Sequence, residues 1–104
     1  MTASERTKVI LEFEQHLSNK YDFIKEAVYN KIMDTPRRFK ADYCLDCKIL
    51  IEINGGQWNG GRHNRGGKGY ENDLNKLNIA QANGYKVYQF TYEMLQRREY
   101  LQFF

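Results

Sequence analysis

The chain holds one proline, two cysteines and two histidines in 104 residues, and none of its apolar runs nears the length of a membrane span. A spanning helix needs about 20 consecutive apolar residues. We therefore expect no membrane partner. The start Met-Thr-Ala-Ser-Glu-Arg lacks the apolar core of a signal peptide, and the expected location is the cytoplasm. Two cysteines cannot build a disulfide framework, and in that compartment Cys44 and Cys47 are expected as reduced thiols. Their C-x-x-C spacing lacks a second pair to complete a zinc site, which normally takes four ligands. The lone proline, Pro36, marks a break, because the residue before a proline avoids helical backbone. A hydrophobic content of 41% with 14% aromatic residues suffices for a packed core and argues against disorder. At this length the core is single, so residues 1–104 are expected to form one domain.

Net charge is a modest +3, but its distribution is uneven. Between Arg37 and Lys68 seven basic residues (Arg37, Arg38, Lys40, Lys48, Arg62, Arg65 and Lys68) face three acids, Asp42, Asp46 and Glu52. The positive excess is confined to this segment. A basic segment around two acids suits a polyanion such as DNA or RNA, the alternative being an ordinary solvated surface.

Periodicity gives the elements. Val9, Ile10, Phe13 and Leu17 form the apolar stripe of a helix from Ser4 to about Leu17. Tyr21 to Asn30 suits either a first strand, carrying Phe23, Ala27 and Tyr29, or a helix. A hairpin follows over Phe39 to Asn54, then a glycine-rich loop. Tyr70 to Asn83 reads as a helix stopped by Asn83-Gly84. Tyr85 to Phe90 reads as a strand, and Thr91 can cap a last short helix through Arg98. The fold class is therefore α/β, a small mixed sheet flanked by helices.

Within the hairpin, alternation puts Phe39, Ala41, Tyr43, Ile49, Ile51 and Ile53 on one face. Lys40, Asp42, Cys44, Leu50, Glu52 and Asn54 share the other. A three-residue loop, Asp46-Cys47-Lys48, sets Asp42 directly across from Glu52 and keeps the isoleucine face continuous. Facing carboxylates repel unless a cation joins them, and oxygen-only ligands suit Mg2+ or Mn2+ with substrate phosphate. The alternative is a pair of rim charges answering Lys40, Lys48 or Arg38. Against this stands the setting of Glu52 inside Ile49-Leu50-Ile51-Glu52-Ile53, where an unpaired charge is costly.

Residues 55–69 hold seven of the eight glycines, interleaved with Trp58, Arg62, His63, Arg65 and Lys68. Such a loop lets backbone approach a ligand and offers phosphate contacts. It matches neither a Walker loop nor a dinucleotide fingerprint, so no nucleotide cofactor is expected. His63 can serve as general acid or base or bind phosphate, while His16 reads as structural. Trp58 can stack on a base or pack. Asp73 and Lys76 share a helix face, as a local ion pair or with Lys76 reaching the hairpin to polarise a scissile phosphate.

The runs Arg37-Arg38-Phe39-Lys40-Ala41-Asp42-Tyr43, Ile51-Glu52-Ile53-Asn54-Gly55-Gly56-Gln57-Trp58 and Gly60-Gly61-Arg62-His63-Asn64-Arg65-Gly66 carry a resemblance. It continues through Gly69-Tyr70-Glu71-Asn72-Asp73, Lys76, Asn78, Ala80 and Gly84-Tyr85-Lys86-Val87, and so covers residues 37–91. These stretches resemble small phage and bacterial endonuclease-domain proteins described as Holliday junction resolvase-like. Those proteins belong to the PD-(D/E)XK nuclease superfamily, near the very-short-patch repair endonucleases. The resemblance implies a restriction-endonuclease-like αβββαβ core and a Mg2+- or Mn2+-dependent DNA endonuclease, in the host cytoplasm if phage-encoded. It assigns the metal to Asp42, Glu52 and the carbonyl of Ile53, and adds a glutamate from the first helix, with Glu5, Glu12 and Glu14 as candidates. Arg37, Arg38, Lys40, Trp58, Arg62, His63, Arg65 and Lys68 would line the DNA. Two residues after the second acid, where the superfamily has lysine or this subgroup an acid, stands Asn54. Lys76 or His63 would then supply the missing charge. Symmetric cutting of a junction would call for a homodimer. The alternatives are a catalytically weak or silent DNA-binding module of the same fold, or an accessory protein that binds a host protein.

Overall fold

A computed structural model describes residues 1–54 and 66–104. The elements run α1 (Ala3–Ser18), β1 (Phe23–Val28), α2 (Tyr29–Ile32), β2 (Lys40–Leu45), β3 (Ile49–Ile53), α3 (Gly66–Ala82), β4 (Lys86–Phe90) and α4 (Tyr92–Gln96), closed by a 3-10 helix, Glu99–Gln102. With the single-turn α2 set aside, this is the αβββαβ order expected. The four strands lie in the order β1-β2-β3-β4. The first two pairings are antiparallel, and β3 and β4 run parallel. Parallel neighbours need a crossover, which α3 lies on. The result is an α/β fold with a mixed sheet flanked by helices. Among the described residues no helix is long and apolar enough to cross a membrane.

Local chemistry sets the boundaries. Thr2 and Glu5 form a reciprocal capping box at the start of α1. Thr91 caps α4, its hydroxyl accepting the Met94 N–H at 3.1 Å. At the end of α3 the Tyr85 N–H donates to the Ala80 carbonyl and the Gly84 N–H to that of Gln81, both at 3.0 Å. This is a Schellman closure, and it requires the positive φ of +83° that Gly84 supplies. The hairpin loop has the expected three residues, with Lys48 left-handed at φ 63°, the usual geometry for a loop of that length. Helix α3 begins at Gly66, before the expected Tyr70, so Gly69 is helical. The glycines that hid this start disfavour a helix by about 1 kcal/mol each.

Two apolar layers cover the sheet. On one face α1, α4 and the 3-10 helix bury Phe13, Leu17, Tyr43, Leu45, Ile51, Phe90, Leu95 and Tyr100. Phe13 stands at its centre, edge-on to Tyr43, Phe90 and Tyr100 with centroids 4.9–6.1 Å apart. On the other, Ala80 of α3 and Tyr85 pack with Ala27, Tyr29, Ala41, Cys44 and Leu50.

The region from Tyr21 to Asn30, open in the sequence, is strand followed by one helical turn. The expected face of the hairpin is only partly right. Tyr43, Ile49, Ile51 and Ile53 face α1, but Phe39 and Ala41 pack in the α3 layer. The ribbon of β1 and β2 coils between Lys25↔Tyr43 and Ala27↔Ala41, where Glu26 takes a left-handed φ of 54°. Strict alternation assumes a flat strand, and the strong local coil of the β1–β2 ribbon departs from it. Both cysteines are free, Cys44 buried and Cys47 exposed.

Candidate functional site

Three successive residues at the end of β3 are tied to three different elements. Glu52 pairs with Lys76 of α3 at 2.5 Å, both side chains about four-fifths buried (18% and 22% exposed). The Ile53 N–H donates to Oδ2 of Asp42 on β2 at 2.7 Å. The Asn54 N–H donates to the Phe90 carbonyl at 2.8 Å, and its side-chain amide donates to Oε1 of Gln89 at 2.7 Å. The antiparallel register that pairs Tyr43 with Ile51, continued by one residue, sets Asp42 opposite Glu52. A side-chain carboxylate thus takes the Ile53 N–H just where the paired residues of β2 and β3 end.

Glu52, Asn54, Asp73, Lys76, Gln89 and Tyr29 line a cavity of about 280 Å3 between the sheet and α3. Burial pushes the Glu52 carboxyl above the ordinary carboxylate range. Lys76 opposes that shift, while the charges of Asp42 and Asp73 add to it. Lys76 therefore bonds across to the hairpin, the reading in which it reaches the acid. Burial also pushes up the Tyr29 hydroxyl, with the Glu52 charge adding to it.

Asp42 opens on the other side of the sheet, into a cavity of about 270 Å3 that it shares with Glu14, Lys25, Tyr43, Ile53 and Tyr92. Asp42 lies on β2 between Ala41 and Tyr43, where the strand changes layers, opposite Glu26 of β1. The two acids are thus neighbours whose charges interact, yet they open on opposite sides of the sheet end. Of the three first-helix glutamates, Glu14 lines the Asp42 cavity. Its Oε2 accepts the Tyr43 hydroxyl at 2.7 Å and pairs with Lys25 at 2.8 Å. Burial alone would raise the Glu14 carboxyl, but Lys25 and Tyr43 together hold it below its ordinary value. Glu5 is used in the α1 cap, and Glu12 approaches Arg98 at 3.6 Å.

Carboxylate and backbone carbonyl oxygens are the donors a hard divalent cation takes, but Asp42 and Glu52 open into separate cavities, so a single ion would reach both only at the end of the sheet between them. In an antiparallel ladder one residue's N–H and C=O serve the same neighbour, so the Ile53 carbonyl faces the Asp42 side. Among the described residues no three His, Cys, Asp or Glu side chains form a metal cage. A cation held here would therefore take the Ile53 carbonyl and water besides the acids, as magnesium commonly does.

The expected DNA-binding residues divide. Arg37 stacks over Phe39 at 4.3 Å, and the Phe39 ring packs on Tyr29 of the Glu52 cavity. Arg38 is exposed. Lys40 makes an exposed pair with Glu26 at 3.6 Å, and Lys68 is exposed in the first turn of α3. Trp58, Arg62, His63 and Arg65 lie outside the described residues. Sequence reasoning missed Gln89, whose signal is a lone amide in the apolar run Val87-Tyr88-Gln89-Phe90, in parallel register with Glu52. It also missed Tyr29, which carries no sequence signal as a site residue. No protein-family model, curated protein or solved structure matches the chain, and the reading of this site rests on its own geometry.

Proposed function

We propose that this chain is a Mg2+- or Mn2+-dependent endonuclease that hydrolyses phosphodiester bonds in DNA, branched DNA among its substrates, in the cytoplasm. The supporting observation is the end of β3, where Glu52 meets Lys76 and the following peptide meets Asp42. A nuclease needs carboxylates to hold a cation and a positive group to answer the phosphate; Glu52 and Lys76 meet in one cavity, and Asp42 lies one peptide away at the same end of β3. The bound ion would acidify the attacking water and offset charge on the scissile phosphate. Asp42 and Glu52 would hold it with the Ile53 carbonyl, both carboxylates turning toward the end of the sheet to reach one ion. Lys76 balances Glu52 before substrate arrives and presents its ammonium to a phosphate oxygen afterwards. Asn54 contributes an oriented amide beside the acid, and His63 a proton donor or acceptor. Arg37, Arg38, Lys40 and Lys68, with Trp58, Arg62 and Arg65, hold flanking DNA, and a homodimer would supply paired cuts.

The test is a panel of labelled junction, flap and duplex DNAs with Mg2+ or Mn2+, and EDTA as control. Wild-type protein should cut, and Glu52→Ala should not. Asp42→Asn keeps an acceptor for the Ile53 N–H, so it should melt as wild type, bind DNA and fail to cut. Normal cutting by either variant refutes the assignment. A second reading, a silent DNA-binding module, is favoured by the neutral Asn54 and by the hold of Lys76 on Glu52. Metal-independent binding without any nicking would establish it.

A further inference from the structure

Asn54 stands two residues beyond Glu52 and lines the same cavity, and a neutral amide acts there only if its dipole points one way. The χ2 torsion of asparagine is broad, so nothing intrinsic to the residue holds it. The fold does. Strands β3 and β4 run parallel with Glu52 opposite Gln89 and Ile53 opposite Phe90. The Asn54 main chain donates to Phe90, while its side-chain nitrogen donates to Oε1 of Gln89 at 2.7 Å. The residue is therefore held through its main chain and its side chain, and fixing the side-chain nitrogen on Gln89 sets the direction of the planar amide's carbonyl oxygen as well. Both residues line the cavity that holds Glu52 and Lys76.

We propose that Gln89 is a positioning residue of the nuclease site, acting through Asn54 by accepting its side-chain N–H and so orienting the amide dipole beside Glu52. This rests on the nuclease reading above. Gln89 is exposed, and a solvent-exposed hydrogen bond adds little to stability. Its role is thus separable from folding.

The experiment compares wild type with Gln89→Leu and Gln89→Glu in cleavage kinetics, thermal melting and side-chain amide NMR. Leucine removes the acceptor, while glutamate keeps one for the same N–H. Gln89→Leu should melt as wild type yet lose about tenfold in kcat with KM unchanged, the scale of one lost orienting hydrogen bond. Gln89→Glu should recover most of that loss. The Asn54 amide resonance, identified by its disappearance in Asn54→Ala, should hold its position in Gln89→Glu and shift in Gln89→Leu. Wild-type cutting by Gln89→Leu, equal losses in both variants, or an amide resonance indifferent to Gln89→Leu overturns the inference alone. Absence of metal-dependent cutting by the wild-type chain overturns the nuclease reading and this inference with it.

Discussion

A carboxylate in mostly buried surroundings, with two other acids in range and one lysine in contact, depends on that lysine. This is the condition of Glu52. Lys76→Met leaves the charge uncompensated and should cost about 2 kcal/mol of stability at neutral pH. The pH dependence has a definite sign. Burial holds the folded Glu52 pKa above its ordinary 4.5, so its contribution favours the fold at low pH. That contribution is lost as pH rises through the window between the unfolded and folded values. Removing Lys76 lifts the folded value further, so the deficit against wild type should grow with pH through that window and shrink in acid. Urea unfolding of both proteins at neutral and acidic pH measures it. An equal deficit at both would mean that Glu52 does not depend on Lys76.

At the scale of elements, the kink in β1 lies opposite Asp42. Glu26 sits in left-handed backbone, costing about 1–2 kcal/mol for a non-glycine residue. By strand propensity alone Glu26→Val would stabilise β1. The φ of 54° reverses that expectation. Valine should destabilise by about 1 kcal/mol or more, and glycine should be neutral or better, as read from denaturation midpoints. The exposed Glu26–Lys40 pair, at 3.6 Å, adds little to either figure. Much of the architecture was legible because periodic signals are local. The stripe of α1, the Thr91 cap, the Gly84 stop and the isoleucines of β3 each declare themselves within a few residues. The coil at Glu26 was not, since a polar residue in a strand carries no mark of its φ. Opposite it on β2, Ala41 and Tyr43 fall in different layers and Asp42 shares a cavity with Glu14. Loop length made the opposed strand positions of Asp42 and Glu52 legible, but not that the two side chains open on opposite sides of the sheet end, and the grip of Lys76 was one of two open options. Gln89 was hidden because parallel register across a crossover is a long-range property.

For the whole molecule, charge decides how DNA would be met. Arg37, Arg38, Lys40 and Lys68 belong to the basic segment, while the rest of the chain has nine basic residues against ten acids. Binding to DNA should therefore weaken steeply with salt, since each phosphate contact releases counterions. The double variant Arg37→Ala with Arg38→Ala should lower the slope of log affinity against log salt by about two. Titrations of labelled duplex across a range of KCl measure it. A flat salt dependence for wild type would instead favour a protein partner.

The last residues of β3 have a consequence in time as well as in space. Neighbours in sequence, they answer to one strand that precedes them and to a helix and another strand that follow. A growing or half-collapsed polypeptide thus owns every acidic and basic group without their arrangement. Competence would arrive only with the final closure of the domain, so a cell would be spared cutting by unfinished copies.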